Sequence, residues 1–153
     1  MKKLLFLAIL ALPFMVSPSF AEEPKERSEV PAEYKWDLSS MYASNEAWQA
    51  DKQKFEAMLP DIEEFKGHLA DGGETLLSAI RTIEEINQII GNLYVYAGLS
   101  SFEDLRIGEN SARFSEAATL YANFQEATAF FSPELLSMDE KKLAQMIDST
   151  SGL

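Results

Sequence analysis

Large apolar residues recur at steps of three and four along three stretches of this chain, and that spacing leaves few folds open. Phe55, Met58, Ile62, Phe65 and Leu69 step by 3, 4, 3 and 4, and Trp48 continues the same face upstream. Leu76, Ile80, Ile83, Ile86, Ile90, Leu93 and Ala97 step by 4, 3, 3, 4, 3 and 4, with Leu77, Ile89, Tyr94 and Tyr96 widening the stripe. Phe114, Ala117, Tyr121, Phe124, Thr128 and Phe131 step by 3, 4, 3, 4 and 3. Each series lines one face of a 3.6-residue helix, and nothing alternates with the period of a strand. The predicted class is all-α: an antiparallel bundle of three long amphipathic helices plus a short C-terminal helix, crossing near +20°.

Local residues set the expected boundaries. Ser44 or Asn45 suits an N-cap. Pro60 lacks a backbone donor, so a kink or break is expected at Leu59-Pro60, with the apolar face continuing beyond it. Asp71 with Glu74 resembles a capping box opening a second helix of about 28 residues, roughly 42 Å long. Gly91 and Gly98 weaken that helix or mark the close approach of another one. "SSFEDLRIGEN" reads as the next connection. Ser132-Pro133 stops the third helix and starts a new turn, and Ser137 with Glu140 forms a second capping box before a short helix to about Ile147.

The first residues have the layout of a secretory signal. Met1-Lys2-Lys3 is basic, Leu4 to Val16 is apolar, and Ser19-Phe20-Ala21 offers small residues at a cut after Ala21. The apolar run is too short to span a membrane. Residues 1–21 are therefore expected to be a cleaved leader and the product secreted or periplasmic. Residues 22–33, "EEPKERSEVPAE", hold one large aliphatic side chain and two prolines, the composition of a flexible linker. Residues 34–153 are the helical domain. The formal net charge of −12 becomes −14 without Lys2 and Lys3, which disfavours nucleic acid and anionic lipid surfaces. No nucleic acid and, after leader cleavage, no membrane is expected as a partner.

Catalytic chemistry is missing from this stretch. A helical zinc-protease site needs two imidazoles four residues apart, and His68 is the one histidine. There is no cysteine, hence no thiolate metal site and no disulfide. No serine stands in a G-x-S-x-G turn. His68 follows Gly67 at a helix end, where an imidazole faces the last carbonyls. The carboxylate pairs Glu63-Glu64 and Glu84-Glu85 lie on polar helix faces. Glu103 and Asp104 lie in a connection, where function concentrates. No catalytic, cofactor-binding or metal-ligating residue is assigned. The apolar segment "YKWDLSSMY" preceding the first helix is left over, and Trp36, Leu38 and Tyr42 are its candidate docking residues, either onto this bundle's own end or onto another domain.

Three stretches together resemble a known family. "YKWDLSSMYASNEAW" is similar to the opening of oligoendopeptidase F-type (thimet oligopeptidase-like) enzymes, with Trp36, Leu38 and Tyr42 on its Trp-x-Leu and tyrosine. "NLYVYAGLSSFEDL" resembles the Tyr-x-Tyr-Ala stretch and acidic connection, with Tyr94, Tyr96, Ala97 and Asp104 in place, although Phe102 and Leu105 stand where the family favours more aspartate. "FFSPELLSMDEKKL" resembles the aromatic-x-Pro-Glu-Leu-Leu boundary after the third helix. The resemblance implies the N-terminal helical domain of a zinc metallopeptidase, part of the wall of a deep channel in which short peptides are cut. The family's His-Glu-x-x-His segment has no counterpart in these residues, so zinc is expected only in a full-length parent. The partners implied are a missing C-terminal catalytic domain and, in the parent, oligopeptide substrates. A free-standing periplasmic helical-bundle binding module without enzymatic activity is the alternative.

Overall fold

A computed structural model describes residues 26–153; the expected leader and residues 22–25 lie outside them. The described residues contain no strand. The fold is the expected all-α bundle. Its helices are α1 (Asn45–Met58), α2 (Gly73–Glu103), α3 (Gly108–Thr128), α4 (Phe131–Leu136) and α5 (Glu140–Ser149), with 3₁₀ turns at Arg27–Glu29, Ala32–Tyr34 and Leu38–Ser40.

α1 begins at Ser44, whose hydroxyl accepts from the Ala47 N–H. It ends at Met58, and the chain tightens into a 3₁₀ segment, Leu59–Phe65, with Pro60 in its first turn. The break is the one Pro60 imposes, and the apolar face runs on through it: Ile62 and Leu69 are fully buried. Gly67 then turns the chain at φ +83°, a left-handed conformation that costs a glycine little.

α2 is the spine. Its stripe of Ile86, Ile90, Leu93 and Ala97 is fully buried, as are Trp48 and Phe55 from α1 and Ala117 from α3. Removing each large side chain from water contributes about 1.5–3 kcal/mol. α1 runs antiparallel to α2, since Trp48 reaches Leu93 while Lys54 reaches Glu85. α3 runs antiparallel to α2 in turn, with Phe114 beside Gly98 and Phe102, and Tyr121 beside Tyr94. A second cluster closes the other end, where Met146 of α5 packs with Leu69, Leu76 and Ala79.

Several expected boundaries differ. α2 runs through Ser100, Ser101 and Phe102 to Glu103, so the connection to α3 shrinks to Asp104–Ile107. Asp71 does not cap α2: the cap position is Gly72, without a side-chain bond, and Asp71 pairs with His68 instead. Asp139, not Ser137, caps α5, accepting from the N–H groups of Lys141 and Lys142; Ser137 donates to the Glu134 carbonyl. Ser132 and Pro133 lie inside α4, with Phe130 at its cap position. Gly98 does mark a close approach, but Gly91 has nothing within 4 Å of where a Cβ would stand.

Candidate functional site

The segment before α1 is organised by Asp37, whose carboxylate accepts from the backbone N–H and hydroxyl of Ser39 at 3.0 and 2.6 Å. Those bonds hold its carboxyl below the usual range. The resulting 3₁₀ turn separates the three docking candidates. Tyr42 enters the core: its ring meets Tyr96 edge-on at 5.1 Å, and its hydroxyl donates to Asp51 at 2.9 Å. Burial, then the Asp51 carboxylate, push the Tyr42 phenol up from its ordinary value. Leu38 is half-buried. Trp36 is 55% exposed and Tyr34 75% exposed.

Under this segment Arg113 of α3 carries the polar connections. Its guanidinium carbon lies 6.0 Å from the ring centres of both Trp48 and Tyr96, and its nitrogens donate to Asn110 and Glu109. Asn110 donates to the Ser100 carbonyl. The end of α2 is fastened by Arg106, which donates to both Asp104 oxygens and, as a two-pronged pair at 2.8 Å each, to Glu26. Those bonds lower the Glu26 carboxyl and raise the guanidinium. Asp104, one of the acidic pair singled out in the sequence, thus serves this clamp, while Glu103 closes α2.

Sequence reasoning did not single out Glu134. It bridges two parts of the fold, its two oxygens accepting from the backbone N–H groups of Gly67 and Leu69 at 2.8 Å each. His68, between them, has Nδ1 2.8 Å from an Asp71 oxygen rather than facing helix carbonyls. With its one imidazole spent there and no thiol available, the chain offers no group of three donors able to hold a metal among the described residues. These residues do not fit a zinc site.

Several concavities flank α3 among the described residues. One, of about 450 Å³, lies between Asn45 and Gln49 of α1 and Glu109, Ala112, Arg113 and Glu116 of α3. A second, of about 370 Å³, is lined by Glu56, Glu63, Glu126 and Asn123 with Leu59, Pro60 and Ala127. A third, of about 290 Å³, is carbon-walled: Tyr94, Val95, Gly98, Leu99, Phe102 and Phe114. No helix among the described residues is long and apolar enough to cross a membrane.

No protein-family profile matches the chain. Individual proteins do. It is 35% identical over 134 residues to oligopeptidase PepF of Bacillus subtilis, covering 84% of this chain and 20% of that one. It is 35% identical over 119 residues to the chromosomal oligoendopeptidase F of Lactococcus lactis, covering 77% and 20%. A crystal structure of a Chlamydophila abortus protein described as a peptidase superposes with a TM-score of 0.70 at 29% identity, covering 82% of this chain and 21% of that one. The chain thus spans about one fifth of the length of the relatives it matches.

Proposed function

Since these helices are similar, over most of the described residues, to one fifth of the oligoendopeptidase F proteins, we propose that the chain is the non-catalytic, channel-wall helical domain of an exported zinc metallo-oligoendopeptidase acting on short peptides. The observation that carries this reading is the coverage: 84% of this chain finds its counterpart in 20% of a peptide-cleaving relative. Most of such an enzyme lies outside the matched helices, and the metal with its ligands belongs there, because His68 and the scattered carboxylates assemble no ligand set here. What these residues supply is a rigid wall. A packed core and the Lys52–Glu116 ion pair hold α1 to α3 in fixed register, while Arg106 fastens the α2–α3 connection to Glu26 and Glu134 fastens the Gly67 turn to α4, the rigidity that restricting access by peptide length requires. Trp36 and Leu38 would dock onto the catalytic domain, with Tyr42 as their anchor in the bundle. The basic start, apolar run and Ala21 cut favour export.

The test is a hybrid in which residues 34–153 replace the matched fifth of the Bacillus oligopeptidase. The hybrid is expected to hydrolyse a quenched-fluorescence peptide in a chelator-sensitive way, and the 153-residue chain alone to hydrolyse none. Chelator-sensitive turnover by the chain alone, or a folded hybrid that leaves the peptide intact, contradicts the proposal. The second outcome favours the free-standing binding module.

A further inference from the structure

α2 carries two stripes, and the bundle covers one of them fully and the other only in part, where Phe114 of α3 meets Phe102 edge-on at 5.7 Å. Ile86, Ile90, Leu93 and Ala97 face the core. The outer seam reads Gln88 and Asn92, both exposed and polar, and then changes character: Val95, Leu99 and Phe102 follow at helical spacing. Val95 is 48% exposed and Phe102 61%. A helix that becomes apolar on both faces is normally covered on both. Gly98 shapes the floor of this seam: a Cβ there would stand 3.3 Å from the Phe114 ring, so its absence lets α3 approach and leaves the cleft of about 290 Å³ open.

We propose that this Val95–Leu99–Phe102 seam is the seat for an apolar helix from the remaining four fifths of the peptidase. The inference rests on the reading of this chain as one domain of such an enzyme. Three observations choose the occupant. The spacing of 4 and 3 is that of a helix-packing seam, and Val95 and Phe102 project from it into solvent. The seam lies inside "NLYVYAGLSSFEDL", the stretch that resembles the longer enzymes, which have about four times as much chain outside the matched region (80% against 20%). A second copy is disfavoured by charge, since each carries −12.

The chain has no cysteine, so a single introduced thiol reports one place. Val95→Cys and, as a control at the opposite end of the bundle, Gln145→Cys are labelled with a maleimide in the full 153-residue chain and in the hybrid, and peptide mapping locates the label. Val95→Cys is expected to react about tenfold or more slowly in the hybrid, with Gln145→Cys equal in both. Where the hybrid does not accumulate, the rest of the Bacillus protein added as a separate chain provides the same comparison. Equal Val95→Cys rates in a hybrid that hydrolyses peptide overturn the seat and leave the proposed function standing. Protection that grows with concentration in the isolated chain assigns the seam to a second copy and also overturns it. Protection in a hybrid that hydrolyses nothing supports the seat and counts against the proposed function.

Discussion

The indole N–H of Trp48, at the start of α1, donates to the carbonyl of Leu93, late in α2, at 3.1 Å across 45 residues, and the tryptophan is fully buried. One side chain therefore fills the core and sets the register of the first two helices. Trp48→Ala is expected to cost about 3–5 kcal/mol through the cavity it leaves. Trp48→Phe keeps most of the volume but drops the bond, and should cost about 1–2 kcal/mol. Urea denaturation followed by circular dichroism checks both. Equal, small losses would mean that the indole bond is not holding the register.

The buried stripes were legible because burial on a helix imposes only a period, which one sequence displays. Ile86, Ile90, Leu93, Phe55 and Ile62 all fall where the steps of three and four put them. Tyr121 belongs to the α3 stripe by spacing yet is 40% exposed, because the bundle covers α3 from one side and Leu120 takes the inward position. Glu134 and Arg113 were illegible for a different reason. Their partners lie 67 residues away in one case and on two other elements in the other, and no local pattern encodes that. Caps failed where two polar residues competed. Asp139 stands directly before α5 and accepts two N–H groups, whereas Ser137 is still inside the preceding turn. Of the docking candidates, spacing showed an apolar cluster but not that the Asp37 turn would send Tyr42 inward and leave Trp36 out.

The Tyr42 phenol makes stability depend on alkaline pH. Its folded value is raised above the unfolded value of about 10, so its contribution is complete below pH ~10 and is lost as pH rises beyond that. Tyr42→Phe should cost about 1–2 kcal/mol at neutral pH by deleting the bond to Asp51, and should flatten the alkaline decline. Melting temperatures between pH 8 and roughly 11 measure this. An undiminished decline in Tyr42→Phe would assign it to other groups.

Glu134 holds the turn at Gly67 onto α4 with two bonds from backbone N–H groups, a charge-assisted pair. Glu134→Ala removes both acceptors and is expected to cost about 1–3 kcal/mol, with faster hydrogen exchange at Leu69. Glu134→Gln retains one acceptor oxygen and turns an amide towards the other N–H, so an intermediate loss is expected. If Leu69 exchange is unchanged in Glu134→Ala, the carboxylate is not the restraint.

Trp36 and Tyr42 should separate cleanly in the isolated chain. Trp36→Ala removes a side chain that is already 55% exposed and is expected to change stability by less than about 1 kcal/mol. Tyr42→Ala opens the core beside Tyr96 and should cost about 3 kcal/mol or more. In the peptidase hybrid the order of effects on activity is expected to shift towards Trp36, as a docking residue requires. A Trp36→Ala loss approaching that of Tyr42→Ala in the isolated chain would make both residues parts of one plug on this bundle.

The glycines of α2 offer a contrast between backbone preference and packing. At Gly91 an added Cβ meets nothing within 4 Å, so Gly91→Ala gains helix propensity without a clash and should stabilise by up to about 1 kcal/mol. At Gly73, the first residue of α2, the added Cβ would stand 2.8 Å from the Thr150 Cβ, closer than packed carbons come. Thr150 is buried and follows α5 directly, so it cannot swing into solvent without lifting the end of that helix from Leu76 and Ala79. Gly73→Ala should therefore destabilise by about 1–3 kcal/mol despite alanine's better helix propensity. Paired thermal melts decide the matter. Stabilisation by both substitutions would mean that the α5 end rides loosely on α2, while losses at both would place an unseen neighbour over Gly91.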